Sequence, residues 1–253
     1  MSHGARPLAA GNWKMNGLRA SLKEVAAICE AAAAGSAGQA EIVICPPATL
    51  LAEAARMCEG TPVKAGGQDC HAEPMGAFTG DISAEMLKDA GASYVILGHS
   101  ERRLGHQESD ASVRAKVKAA FRAGLTPIVC VGETLSQREK GQALEIVGSQ
   151  LTGSIPEEPP AGEIVIAYEP VWAIGSGLTP SLGEIAAMHS FIRQRLKELF
   201  AAPSAAWRIL YGGSVKPGNA RELLSVDEVD GALVGGACLS ASTFMAIAGI
   251  YRG

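Results

Sequence analysis

What the chain lacks narrows its chemistry first. Its six cysteines, Cys29, Cys45, Cys58, Cys70, Cys130 and Cys238, include no C-x-x-C pair, and several fall in apolar strand or helix patterns. They read as reduced core residues of a cytosolic protein, not as a zinc or disulfide framework. The five histidines, at positions 3, 71, 99, 106 and 189, form no H-E-x-x-H pair, so a catalytic metal is not indicated. No G-x-G-x-x-G occurs, although an open doubly wound sheet binding a dinucleotide would carry one. No dense Lys/Arg run offsets the formal net charge of −4, which argues against a general nucleic-acid binder. An anionic ligand would have to be held by local positive groups. Met1 to Arg6 lack the apolar stretch of a secretory signal, and a cytoplasmic location is expected.

Gly231 to Tyr251 carries no charge and is long enough to cross a bilayer. Gly235-Gly236 interrupts it, however, and Ser240, Ser242 and Thr243 dot it. A buried strand, a glycine turn and a short helix account for it better, so no membrane span is expected.

What the chain has is a regular alternation of short apolar runs and helical patterns. The composition, 47% hydrophobic and 19% charged, suits a soluble domain with a sizeable core. Eight strands are predicted: Pro7–Asn12, Glu41–Cys45, Pro62–Ala65, Ser93–Gly98, Thr126–Val131, Ile164–Glu169, Arg208–Tyr211 and Gly231–Val234. Most are β-branched and nearly continuous in apolar character, as parallel strands covered by helices should be. Between them, Ser21-x-x-Glu24 reads as a capping box, with Leu22, Val25, Ile28 and Cys29 as the buried stripe and Gly35 closing the helix. Thr179-Pro180 reads as an N-cap with proline in the first turn, ahead of Ile185, Met188, Ile192, Leu196 and Leu199. Val113, Val117 and Phe121 repeat the pattern after Asp110. No linker divides the chain, Pro156 to Gly162 being only a polar loop, so one domain over residues 1–253 is expected. Eight βα units in a chain of about 250 residues point to a (β/α)₈ barrel.

In such a barrel the chemistry sits at the C-terminal ends of the strands. Those ends supply Asn12 and Lys14, Gln68, His99 and Glu101, Glu133, Glu169, and the glycines of Gly212-Gly213-Ser214 and Gly235-Gly236. Singly, each has an ordinary reading: an exposed lysine, a hydrogen-bonded histidine, a carboxylate in an ion pair, a glycine in a turn. Together, a base, a polarising donor and a cation suit proton transfer next to a carbonyl. The glycines suit phosphate, whose oxygens approach bare backbone N–H groups. Gly98-His99-Ser100-Glu101-Arg102 looks like a nucleophile elbow, but G-x-S-x-G needs glycine where Arg102 stands, which argues against a serine hydrolase.

Seven blocks then resemble the triosephosphate isomerase family, in order and at family spacing across essentially the whole chain. They are Gly11–Gly17, Gly76–Ser83, Gly98–Arg103, Cys130–Glu133, Ala167–Gly175, Tyr211–Val215 and Leu233–Ala237. The resemblance implies interconversion of two triose phosphates through an enediolate, with no cofactor. It implies Glu169 as general base, His99 as a neutral electrophile and Lys14 as the positive charge on substrate. Asn12 would bind the reacting oxygens and Glu101 would support Lys14 and His99. Backbone groups of Gly175, Ser214, Gly235 and Gly236 would hold the phosphate. Pro170 to Thr179 would form a lid, anchored at one hinge by Trp172. It implies a homodimer through the segment Gln68 to Ser83, with Thr79 nearest the partner's site. Departures from the family pattern are Ser176, Leu178 and Pro180 in the lid and second hinge, and His106-Gln107 in place of an aromatic-glycine pair. The alternatives are another phosphate-binding barrel, such as a sugar-phosphate epimerase, which would commonly need metal ligands, or a non-catalytic binding barrel.

Overall fold

Eight parallel strands close on themselves, each hydrogen-bonded to the next, with β8 returning to β1. They are β1 Leu8–Asn12, β2 Glu41–Cys45, β3 Val63–Gly67, β4 Tyr94–Leu97, β5 Thr126–Val131, β6 Val165–Tyr168, β7 Ile209–Tyr211 and β8 Gly231–Val234. All eight strands expected from the sequence are present, and β2, β5 and β8 have the expected bounds. The computed structural model describes residues 5–159, 161–174, 178–200, 204 and 206–252. Ten α-helices are found among these residues: α1 Leu22–Ala33, α2 Ala48–Cys58, α3 Ala84–Asp89, α4 Ser100–Gly105 and α5 Asp110–Arg122, then α6 Leu135–Glu139, α7 Ala143–Ser154, α8 Leu182–Phe200, α9 Pro217–Leu223 and α10 Ala241–Ala248.

The two-residue period of a strand divides the core into two layers. Leu8 and Ala10, Val43 and Cys45, Tyr94 and Ile96, Ile128 and Cys130 point into the barrel, joined by Val165, Ala167, Leu210 and Leu233. The residues between them, such as Ala9, Ile42, Ile44, Val95, Val129 and Ile166, pack outward against Val25, Ile28, Leu51, Val117, Ile185 and Ile192 of the helices. Burial on both faces is why the strands read as continuous apolar runs. β3 contributes little to the interior. A Cβ on its Gly66 would come within 2.7 Å of Cys45 Sγ and 3.2 Å of Tyr94 Cβ, so these neighbours fill the space a side chain would take.

Helix termini follow sequence signals with two corrections. Gly35 closes α1 as expected: at φ +77 it lets its own N–H bond Ala32 and that of Ser36 bond Ala31, a Schellman ending. The Ser21-x-x-Glu24 box does not form. Ser21 ends a 3₁₀ turn, Arg19–Ser21, and its Oγ accepts from Leu18 N–H at 3.1 Å. Glu24 instead accepts from the amide of Ala241 at 2.8 Å and caps α10. Nor does Thr179-Pro180 start α8. The cap is Ser181, whose Oγ and N–H exchange bonds with Glu184 at 3.3 and 2.7 Å. The uncharged stretch to Tyr251 resolves into β8, a 3₁₀ turn over Gly236–Leu239, the eight-residue α10 and a final 3₁₀ turn. Among the described residues no helix is long and apolar enough to cross a membrane.

The N-terminal end of the barrel is plugged by charge. Arg208 donates to Glu41 at 2.8 Å, to Glu163 at 2.5 and 2.7 Å and to Tyr94 OH at 2.9 Å, while Lys64 pairs with Glu41 at 2.6 Å. Burial opposes ionisation of Glu41, but Lys64 and Arg208 outweigh it and bring the carboxyl from its ordinary 4.5 down to about 2. A carboxyl depressed on folding adds stability that is fully present above its unfolded value and is lost as pH falls towards its folded value. Glu41→Gln should therefore cost about 3 kcal/mol at pH 7. In urea unfolding the gap to wild type should narrow between pH 4.5 and 2. An equal gap at pH 7 and pH 3 would contradict this account.

Candidate active site

The loops at the C-terminal mouth set the position of each polar group. Beyond β1, Lys14 adopts φ +54, a left-handed conformation uncommon for a residue with a side chain. Three hydrogen bonds hold it there. Asn12 Oδ1 accepts the Lys14 N–H at 2.9 Å, and Gln68 Nε2 donates to the carbonyls of Lys14 and Cys45 at 2.9 and 2.8 Å. Strain of this kind persists only where the surroundings over-determine it. The side chain then runs past Gly235, where a Cβ would lie 3.4 Å from Lys14 Cε, and its Nζ meets Glu101 at 2.6 Å.

His99 follows β4 and caps α4. The amide of Glu101 donates to His99 Nδ1 at 3.2 Å, which leaves Nδ1 without a proton and places the proton on Nε2. Nε2 lies 2.9 Å from Glu169 Oε1. Glu169 follows β6, is 2% exposed, and also accepts from Ser100 N–H at 2.9 Å and Ser100 Oγ at 3.3 Å. Burial works against ionisation of this carboxyl. The charge of a protonated His99 and its hydrogen bond, with the Ser100 amide and the Lys14 ammonium, outweigh it and hold the group below the ordinary carboxylate value. With His99 neutral, the His99 Nε2–H, the two Ser100 donors and Lys14 remain to hold it ionised. Glu169 is thus an ionised carboxylate near neutrality.

The backbone around Glu169 is fixed as closely as its side chain. A Cβ on Gly132 would lie 1.7 Å from the Glu169 carbonyl oxygen, so only glycine lets the end of β5 pass here. Gln150 of α7 clamps that glycine, accepting from Gly132 N–H at 2.7 Å and donating to its carbonyl at 3.1 Å. Downstream, Trp172 Nε1 donates to the fully buried Glu133 at 2.9 Å, and Arg138 stacks over the indole at 4.6 Å. Trp172 is thereby tied to the end of β5, and Glu133 serves that tie and is not in the cavity lining. Gly175, Ser176 and Gly177, expected from sequence in a lid, lie outside the described residues.

Asn12, Lys14, His99 and Glu169 line one cavity of about 470 Å³, together with Gly212, Gly213, Ser214, Gly235 and Gly236. Of the strand-end residues expected from sequence, Gln68, Glu133 and Glu101, the last standing behind Lys14 and His99, lie outside its lining, and Gly175 is not among the described residues. Among the described residues nothing lies within 4 Å of where a Cβ on Gly236 would be, so they leave a ligand access to that backbone. Several contributors had no role in the sequence reading. Gln68 was only a polar strand end there. Ser100 entered only through the elbow look-alike, and Gln150 and the cavity-lining Lys216 did not enter at all. Asn219 was also missed. It accepts from Lys216 N–H at 2.7 Å and donates to the Ser214 carbonyl at 3.1 Å, which staples the loop after β7. Its place three residues after Lys216, at the third position of a helix that opens on Pro217, is a capping signal that could have found it. Gln107, at a position where the family resemblance implies glycine, takes φ +55, the conformation a glycine adopts without strain. Among the described residues no three His, Cys, Asp or Glu side chains gather in a metal-binding group.

A sequence profile described as triosephosphate isomerase matches residues 7–251. The chain belongs to the triosephosphate isomerase family. It is 57% identical over 252 residues to the triosephosphate isomerase of Mesorhizobium japonicum, covering 100% of this chain and 98% of that one. With that of Afipia carboxidovorans it shares 59% over 244 residues, 96% of each. The crystal structure of triosephosphate isomerase from Bartonella henselae superposes with a TM-score of 0.89 at 50% identity, covering 98% of this chain and 100% of that one.

The Glu101 amide gives this member of the triosephosphate isomerase family a definite imidazole tautomer. Nitrogen NMR of labelled protein at pH 8 should show His99 Nδ1 as an unprotonated, pyridine-type nitrogen and Nε2 as an N–H. The reverse assignment would mean that the Glu101 contact does not set the tautomer.

Proposed function

We propose that the protein interconverts dihydroxyacetone phosphate and D-glyceraldehyde 3-phosphate at this mouth, without a cofactor. The observation that carries the proposal is the contact of an ionised, buried Glu169 with His99 Nε2 at 2.9 Å, in a cavity whose far side is backbone glycine and Lys14. Glu169 takes a proton from the hydroxyl-bearing carbon of the ketose. The electrons move into the carbon–carbon bond and the carbonyl becomes an enediolate oxygen. His99 Nε2–H stabilises that oxygen and passes it a proton, and Lys14 and Asn12 complement the charge. Glu169 then returns its proton to the neighbouring carbon while the hydroxyl on the first carbon gives its proton back to His99 Nε2 and becomes the aldehyde carbonyl, which yields the aldose. Backbone N–H groups of Ser214, Gly235 and Gly236, with Gly175 of the lid, hold the phosphate, and Lys216 adds a second cation at that end. Glu101 holds Lys14 and His99 in place.

A coupled assay starting from glyceraldehyde 3-phosphate, run with and without chelator, tests the activity directly. Turnover indifferent to chelator is the expected result. Glu169→Asp withdraws the carboxylate by on the order of 1 Å and should lower kcat about 10²-fold while the circular dichroism spectrum stays that of the wild type. Near-normal turnover in the folded variant would remove Glu169 from the base role.

We infer further that the protein works as a homodimer in the cytoplasm, through the segment from Gln68 to Ser83. That segment is long for a βα loop yet internally braced. His71 N–H donates to the Ile82 carbonyl at 2.7 Å, and its ring lies 4.1 Å from that of Phe78. Asp69 is tied to Lys116 and Arg102 at 2.8 and 2.9 Å. Met75 and Phe78 of this segment, and Met15 and Leu18 after β1 and Met86 of α3, are large apolar side chains exposed at 43–97%. Apolar surface of that kind favours a partner over water. Six free cysteines suit a reducing compartment. Thr79 is exposed at the tip. Thr79→Arg should place an unpaired charge in the interface at a cost of about 3–5 kcal/mol. Sedimentation should then show monomers with reduced activity, whereas an unaffected dimer would place Thr79 outside the contact.

A further inference from the structure

Two side chains that the reaction does not use stand together on the outer layer: Cys29 on α1 and Cys58 at the end of α2, with sulfurs 3.8 Å apart. The other four thiols are set apart from them in both burial and acidity. Cys45, Cys130 and Cys238 are fully enclosed and Cys70 is 2% exposed, while Cys29 and Cys58 are at 5% and 6%, just beneath the surface. Burial pushes Cys70 and Cys238 up to about 12, and Cys45 and Cys130 also up. Cys29 goes the other way. Its hydrogen bond with Cys58 outweighs burial, Thr61 adds to it, and the thiol comes down to about 7, while the same contact raises Cys58. The two sulfurs in contact share one hydrogen bond, and Cys29, the thiol that this contact brings down, is assigned as the nucleophile, since the thiolate and not the thiol attacks.

We propose that Cys29 and Cys58 form an oxidation site, at which a hydroperoxide converts the two thiols to a disulfide that ties α1 to α2. The Cys29 thiolate attacks one peroxide oxygen and the O–O bond breaks. The product is a Cys29 sulfenic acid and a hydroxide that takes a proton from solvent. Cys58 sulfur then attacks the sulfenic sulfur, the S–O bond breaks, and the departing hydroxide leaves as water with the Cys58 proton. Two thiols lose two electrons, and one hydrogen peroxide becomes two waters. A disulfide needs sulfurs about 2.05 Å apart, so the pair must close by less than about 2 Å. The cross-link shuts a loop running through α1, β2 and α2, which restricts the unfolded chain. Neither helix carries a residue of the mouth, so the bond braces the barrel wall and leaves turnover in place.

The test treats the full-length protein with stoichiometric hydrogen peroxide, then unfolds it, alkylates it and maps the peptides by mass. A peptide pair joined through Cys29 and Cys58 is expected, two hydrogens lighter, released by dithiothreitol, with the other four cysteines alkylated. The oxidised protein should keep its activity and melt roughly 5 °C or more higher. Cys58→Ser should leave Cys29 to accumulate as a sulfenic acid that a cyclic 1,3-diketone traps, and Cys29→Ser should form neither species; both variants should match the untreated wild type in turnover. Two free thiols after peroxide, a disulfide joining any other pair, or trapping that persists in Cys29→Ser would overturn the assignment. A melting temperature that does not rise would overturn the bracing role.

Discussion

Closure of the sheet by β1 against β8 is the constraint on which the rest depends. Leu8 to Gly11 pair in register with Gly231 to Val234, so the two ends of the chain become neighbours in one ring. Because every strand runs the same way, every loop that follows a strand opens at the same end. Lys14, just past β1, comes to lie against Gly235, just past β8, although almost the whole chain separates them. Without the β1–β8 pairing the cation and the glycine turn would sit on opposite edges of an open sheet. The mouth is a consequence of hydrogen-bond topology before it is a matter of particular side chains.

The two ends of the same strands treat charge in opposite ways. At the N-terminal end Arg208 and Lys64 meet Glu41, Glu163 and Tyr94 in a mutually satisfied network, and burial is offset on every side. At the C-terminal end the charges are organised around a cavity, with Glu169, His99 Nε2 and Lys14 on its lining. The same principle governs both: a buried charge is tolerated when donors or opposite charge surround it. The plug spends that compensation on stability. The mouth uses it to keep a carboxylate ionised in a place where burial alone would favour its neutral form.

What was legible in the sequence follows from how local each signal is. All eight strands could be read, because burial on both faces leaves a continuous apolar run. Gly35 could be read as a helix ending, because only glycine takes φ +77 without strain. The polar groups at the strand ends could be named and together suited proton transfer next to a carbonyl, though the role of each came from family resemblance. The capping readings failed where a competing partner lay elsewhere in the chain, as with Glu24, whose carboxylate goes to Ala241, 217 residues on. The supporting amides were invisible for the same reason. Gln68 acts on a carbonyl 54 residues away and Gln150 on a glycine 18 residues away, and neither leaves a local pattern.

These supporting residues share a chemistry that bears on why they are amides. Gln150 and Asn219 each give one hydrogen bond and receive one from the backbone, and Gln68 gives two. A carboxamide fills both donor and acceptor needs of a peptide group without adding charge. A carboxylate at position 150 could accept from Gly132 N–H but not donate to its carbonyl, and it would bring a second negative charge near Glu169. Like charge at that range raises a carboxyl's pKa and works against the ionised base. A lysine there would donate but not accept, and would draw Glu169 away from the cavity. Neutral clamps therefore fix the backbone of the mouth to the small tolerances that proton transfer demands, and add no charge to the electrostatics set by Lys14, His99, Glu169, Glu101 and Lys216.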